Sequence, residues 1–158
     1  KGYVADRAVA ILKKRRIKNA LVIAGGTVCG MGVKPDGSLW QVGVQHPRDP
    51  HRILTAVALK NCSISTAGDY ENFYLKHGTR RGHIIDPRTG TPVSRMQSVS
   101  VIAPDAVTGD LLDTPLFVLG PEQGMEVAHA IKGVEVLMVA EGGRVVYSEG
   151  WPQKNIAY

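Results

Sequence analysis

The chain has 158 residues, 44% of them hydrophobic and 21% charged, with a formal net charge of +5. That length suits one domain of the usual ~100–200 residues, and no apolar run approaches the ~20 residues of a membrane-spanning helix. Aromatic residues are only 6% and none interleave with the lysines, which argues against a nucleic-acid surface despite the basic balance.

Across residues 3–17, apolar side chains recur at Val4, Ala8, Ile11, Leu12 and Ile17 with Arg7, Lys13 and Lys14 elsewhere, the spacing of an amphipathic helix. The basic run at 13–18 reads as the solvated last turn of that helix, complementing its dipole. Residues 19–24 (NALVIA) are short and uniformly apolar and are closed by Gly25-Gly26, which suits a strand buried on both faces. The glycines permit a tight turn or a close ligand. Residues 28–33, 40–44 and 55–64 read as further strands. Between the first two, Pro35-Asp36-Gly37 predicts a turn, and hence an antiparallel pair, because Pro fixes φ and Gly accepts positive φ.

Residues 45–52 carry two prolines without periodicity and read as a loop. Cys29 and Cys62 are too few for a disulfide scaffold and lack zinc-site spacing; one disulfide and two buried thiols are both open. Residues 99–103 alternate as a strand, 122–131 have helical spacing, and 134–139 with 143–147 form a last hairpin around Glu141-Gly142-Gly143. Helix and strand mix without regular βαβ repetition. The expected class is therefore α+β, a mixed or antiparallel sheet packed by helices.

Three stretches place polar residues where chemistry is possible. In residues 108–120 (TGDLLDTPLFVLG), Asp110, Asp113 and Thr114 interrupt an apolar run, and in a helix their offsets of three and four put them on one face. Carboxylate and hydroxyl oxygens gathered there suit Mg²⁺ or Ca²⁺. A local reading competes: Pro115 favours a first helical position, which makes Thr114 an N-cap and lets Asp113 answer the helix dipole. Residues 83–90 (HIIDPRTG) put His83 and Asp86 on a turn, with His83 either a general base or a hydrogen-bonded turn residue. The basic cluster at 76–81 runs into this motif, and Arg80 and Arg81 favour an anionic ligand. Residues 65–70 (STAGDY) allow close backbone approach at Gly68, or an Asx-type turn with a buried Tyr70. No Ser-His-Asp arrangement, Walker loop or Gly-x-Gly-x-x-Gly fingerprint is present.

In order, KGYVADRAVAILKKRRIKNALVIAGG, KPDGSLWQVGVQHP, STAGDYENFY, GHIIDPRTGTPV and SVSVIAPDAVTGDLLDTPLFVLG resemble the FAD:protein FMN transferases, the ApbE-type family, over nearly the whole chain. The resemblance implies a Mg²⁺-dependent enzyme that cleaves FAD, transfers FMN to a threonine hydroxyl of a target flavoprotein and releases AMP. It implies metal binding by Asp110, Asp113 and Thr114 through the family's Asp-x-x-Asp-Thr. It further implies flavin contact by Lys1 of the KGY motif and by His83 and Ile84 at the isoalloxazine ring, with His83 as base for the acceptor threonine. The physics agrees, since two carboxylates and a hydroxyl leave coordination positions open for substrate phosphates and water.

Two departures from the family pattern bear on the site. Gly25-Gly26-Thr27 stands where Gly-Gly-Asp or Gly-Gly-Asn is common, which puts a polar role for Thr27 in question. Thr66-Ala67-Gly68 replaces Thr-Ser-Gly and removes a hydroxyl near the flavin edge. Family members are also longer, so residues 1–158 read as the C-terminal part of a single flavin-transferase domain whose N-terminal half is a partner outside this chain. The chain opens on Lys1 without a visible signal segment. The family implies an exported, membrane-anchored lipoprotein facing the periplasm. The alternative expectation is a non-catalytic flavin-binding or scaffold module of the same fold.

Overall fold

The computed structural model describes residues 1–152. Helix α1 (Gly2–Lys14) opens the chain, followed by β1 (Ala20–Ala24), β2 (Thr27–Met31), β3 (Trp40–His46), β4 (Asp49–Leu59) and β5 (Cys62–Gly68). Two short two-stranded pairs come next: β6 (Phe73–Lys76) with β7 (Thr79–Gly82), and β8 (Ile85–Asp86) with β9 (Thr91–Pro92). Then follow β10 (Met96–Ala103), α2 (Ala106–Leu119), α3 (Pro121–His129), β11 (Glu135–Ala140) and β12 (Val145–Tyr147). The α+β class holds: a six-stranded, wholly antiparallel sheet in the order β1-β2-β5-β10-β11-β12 carries the helices.

Side-chain alternation splits the core into two layers. On β10 and β11, Val99, Val101, Val136 and Met138 face the helices and meet Leu116 and Phe117 of α2. Leu137 and Val139 point to the opposite face, where they pack with Val44, Leu54, Val57 and Leu59 of the β3–β4 hairpin and with Trp151. The sheet thus lies between a helical layer and a two-stranded one.

Four local readings are corrected. The run 19–24 is an edge strand, not one buried on both faces: Ile23 is 67% exposed, and among the described residues β1 pairs only with β2. The Pro-Asp-Gly turn forms, with Gly37 N donating to Lys34 O at 2.9 Å, yet the strands beside it do not pair with each other. β2 is buried along nearly its whole length and needs two neighbours, β1 and β5, whereas β3 alternates in exposure and pairs with β4 in the second layer. The stretch 55–64 is two strands. Asn61 adopts φ 54° and accepts from Gly32 N at 2.9 Å, turning the chain from the outer layer into the sheet. Residues 45–52 belong mostly to the β3–β4 hairpin and not to a loop; Pro50 is tolerated because β4 is an edge strand.

The capping reading of Thr114 is also corrected. α2 begins nine residues earlier and carries Pro115 inside it. Asp105 caps it by accepting from Thr108 N at 2.8 Å, and Asp6 of α1 accepts from Ala106 N at 3.0 Å and Val107 N at 2.9 Å. Both cysteines are free, and burial pushes the Cys29 thiol up to about 11. Among the described residues no helix is long and apolar enough to cross a membrane.

Phe117 is fully buried between α2 and the sheet. Truncating it to alanine is expected to cost about 3–5 kcal/mol, read as a lowered urea midpoint with an unchanged slope.

Candidate functional site

The first turn of α1, the end of β5, the segment after β7 and one face of α2 converge on a cleft of about 190 Å³. Every residue singled out for the site lines it: Lys1, His83, Ile84, Asp110, Asp113 and Thr114. Helical spacing brings the last three together as expected. Long-range packing brings the others, for Asp110 lies over a hundred positions from Lys1 and yet 3.1 Å from its amino nitrogen.

α1 reaches this position because Gly2 lets it touch α2. A Cβ on Gly2 would sit 2.3 Å from the Ala106 carbonyl oxygen, so no other residue fits without moving a helix. The same closeness aims the Gly2 N–H at Asp110 Oδ2, 2.8 Å away. Burial alone would raise the Asp110 carboxyl, but hydrogen bonds from the Gly2 amide and the Lys1 nitrogen, with the nearby Lys1 side-chain charge, outweigh it and hold it below the ordinary value.

Asp113 is the contrasting member of the pair. It is 5% exposed, and desolvation, reinforced by the Asp110 charge, raises its pKa. Ser65 Oγ donates to Asp113 Oδ2 at 2.7 Å and Thr114 Oγ1 donates to Oδ1 at 3.0 Å, which offsets part of that cost. Ser65 has one hydroxyl proton. Having given it to Asp113, Ser65 accepts from Thr27 Oγ1 at 2.9 Å, and the 3.4 Å approach of Thr27 to Asp110 is the weaker alternative. Thr27 is fully buried, so it does have a polar role despite its departure from the family pattern. Its connection to the site depends on β2 and β5 pairing Thr27 with Ser65, a register that no local spacing announces.

Opposite the carboxylates, Ile84 is buried and His83 is exposed. His83 Nδ1 lies 3.2 Å from the Asn72 carbonyl oxygen. A carbonyl can only accept, so Nδ1 carries the proton and Nε2 is left with a free lone pair. The following turn is clamped by Asp86, which accepts from Arg88 N at 3.0 Å, Nε at 2.9 Å and Nη2 at 2.7 Å. Arg88 and Arg95 both donate to the Val118 carbonyl and tie this turn to α2. Asn72 and Glu71 also line the cleft; both lie in the STAGDYENFY stretch, but nothing in its residue pattern marks either as a site residue. Arg80 and Arg81 lie outside the lining.

Among the described residues no group of three His, Cys, Asp or Glu side chains could hold a metal. The donor set is instead two carboxylates and a hydroxyl, all hard oxygens. It fits a Mg²⁺-type cation, which would also relieve the repulsion between Asp110 and Asp113.

The sequence profile of the ApbE family matches residues 1–138. The chain belongs to the ApbE family. It is 39% identical over 144 residues to the FAD:protein FMN transferase of Escherichia coli K12, covering 90% of this chain and 41% of that protein. The ApbE protein of Thermotoga maritima superposes with a TM-score of 0.85 at 36% identity, over 94% of this chain and 48% of that one. The flavin transferase ApbE of Vibrio cholerae gives 0.77 at 32%, over 94% and 47%. The chain thus spans less than half the length of these ApbE relatives.

Two outcomes are expected from the site's own contacts. Ser65→Ala removes the hydroxyl that joins Thr27 to Asp113 and should cost about 1–3 kcal/mol in urea titration; unchanged stability would show that the relay carries no load. Asp86 is held well below the usual carboxylate range, chiefly by its hydrogen bonds from Arg88. Its folded pKa is depressed, so its contribution is present above about pH 4 and lost as pH falls toward the folded value. Asp86→Asn should flatten the decline in stability below pH 4, measured by thermal melts across that range.

Proposed function

We propose that this chain forms the metal-binding and flavin-contacting part of an FAD:protein FMN transferase, completed by an N-terminal half of the same domain. The observation that carries the reading is the convergence of Lys1, His83, Ile84, Asp110, Asp113 and Thr114 on one cleft in a chain whose relatives bear that name. Asp110, Asp113 and Thr114 would hold a Mg²⁺ ion, which would supply positive charge to the substrate's phosphates.

The remaining work falls to side chains. Lys1 and Ile84 hold the flavin, one through charge and the other through an apolar contact. His83 Nε2, the free acceptor, takes the proton from the acceptor threonine hydroxyl of a target flavoprotein. The bond between phosphorus and that hydroxyl oxygen forms as the pyrophosphate bond of FAD breaks. FMN is thereby joined to the protein and AMP departs. Location follows the family resemblance alone: an exported, membrane-anchored lipoprotein facing the periplasm.

Asp110→Asn and Asp113→Asn, made in the full-length protein, test the metal assignment. Each should raise the Mg²⁺ concentration for half-maximal FAD cleavage by more than the ~10–100-fold typical of outer-shell changes. Unchanged Mg²⁺ dependence in both would reject it. A protein that binds FAD but never cleaves it under any Mg²⁺ concentration would instead be the non-catalytic module of this fold.

A further inference from the structure

Resting on the transfer reading above, we propose that the β6–β7 hairpin is the docking surface for the acceptor protein. The segment it takes is extended and acidic and flanks the acceptor hydroxyl. Position is the first support. Asn72 and His83, which flank the hairpin, both line the cleft and are joined by His83 N donating to Asn72 O at 3.0 Å. A protein that brings a hydroxyl to His83 therefore passes the hairpin.

The second support is the surface itself. Among the described residues β6 and β7 pair only with each other, so each has an outer edge with no strand on it, the geometry that binds an extended segment by strand addition. Phe73, Tyr74 and Leu75 are 45%, 57% and 66% exposed, an apolar content that edge strands normally avoid or cover. Register places Tyr74 opposite Arg81 and Leu75 opposite Arg80. Alternation then gives one face to Tyr74, Lys76 and Arg81, and the other to Phe73, Leu75 and Arg80. A Cβ on Gly82, on the second face, would lie 3.0 Å from Asp69 Cβ. That face meets the body at its base near Gly82, while toward the tip both faces are open, Tyr74 on one and Leu75 on the other.

Charge decides the partner. Residues 73–82 hold Lys76, His77, Arg80 and Arg81 and no acidic residue. Elsewhere the arginines near the cleft are spoken for: Arg48 pairs with Asp69 at 2.6 Å and Arg88 with Asp86 at 2.7 Å. Among the described residues no carboxylate pairs with Lys76, Arg80 or Arg81, and Arg80 lies 3.9 Å over the Phe73 ring, which leaves its charge uncompensated. Cations, a stacking ring and open edges together fit acidic side chains on an extended strand. An anionic membrane would use the cations and rings but not the strand edges, so the protein partner is favoured.

The test uses full-length protein and two fluorescent peptides of equal length, each with one threonine, flanked by aspartates in one and by lysines in the other. Binding is read by anisotropy, which does not require turnover, and transfer by the mass of added FMN. The aspartate peptide should bind at least about 10-fold more tightly and weaken as salt rises. Lys76→Glu/Arg81→Glu should reverse the preference, with FAD affinity unchanged, and gained binding of the lysine peptide shows that the hairpin is still formed. Tyr74→Ala/Leu75→Ala should weaken both peptides. Equal binding of the two peptides, or preference unchanged in the double Glu variant, overturns the proposal. So does phosphatidylserine-vesicle binding that the Glu variant loses while peptide preference stays. Preference that reverses without FMN transfer to either peptide keeps the docking surface and rejects the transfer reading.

Discussion

Holding two carboxylates side by side at the edge of a core is the constraint around which this fold is arranged. Asp113 is desolvated and next to another charge, so it is tolerable only with hydroxyl donors at hydrogen-bond distance. Ser65 from β5 and Thr114 from its own helix supply them. That requirement fixes how closely α2 lies on the sheet. Gly109, one turn before Asp113, lets the helix settle until a Cβ there would meet Ser65 Cβ at 3.4 Å. Asp110 is satisfied differently, by the first turn of α1, and this needs the far closer contact at Gly2, where a Cβ would come within 2.3 Å of the Ala106 carbonyl oxygen. The two helices and the central strands are therefore mutually positioned by the polar groups of the site as well as by apolar packing.

The contrast between the two carboxyls follows from who serves them. Asp110 faces N–H donors and positive charge, and it is held in its ionised form. Asp113 faces hydroxyls, which donate less strongly, inside a drier site, and its pKa moves the other way. A hard divalent cation, if bound as proposed, would resolve the difference by replacing mutual repulsion with a shared attraction.

Much of this was legible in residue order. The helix at 3–17, the last hairpin, the α+β class and the gathering of Asp110, Asp113 and Thr114 on one helical face all follow from periodicity, and periodicity is local. What failed to show depends on partners distant in sequence. NALVIA looks like an interior strand until β2 is found to need two neighbours. Thr114-Pro115 looks like a helix start because the stronger caps, Asp105 and Asp6, act at a position that no short window connects to α1. Thr27 seemed chemically idle because its partner Ser65 is set by strand register, which the Gly25-Gly26-Thr27 string does not encode.

The cleft's two walls differ in how they are built, and that difference bears on what each can do. The carboxylate wall sits on long elements with its hydroxyls and acids bonded to one another, so a substitution there propagates through Thr27, Ser65 and Asp113 together. The opposite wall consists of two-stranded pieces held by ion pairs that join a buried carboxylate to a partly exposed guanidinium, Asp69 with Arg48 and Asp86 with Arg88. Their bidentate geometry fixes direction, and removing either partner leaves the other charge without its counter-charge. Chemistry that must not vary belongs on the first wall, where geometry is overdetermined. The proposed recognition of a protein partner suits the second, because the β6–β7 side chains can change without disturbing the hydrogen bonds that hold the carboxylates.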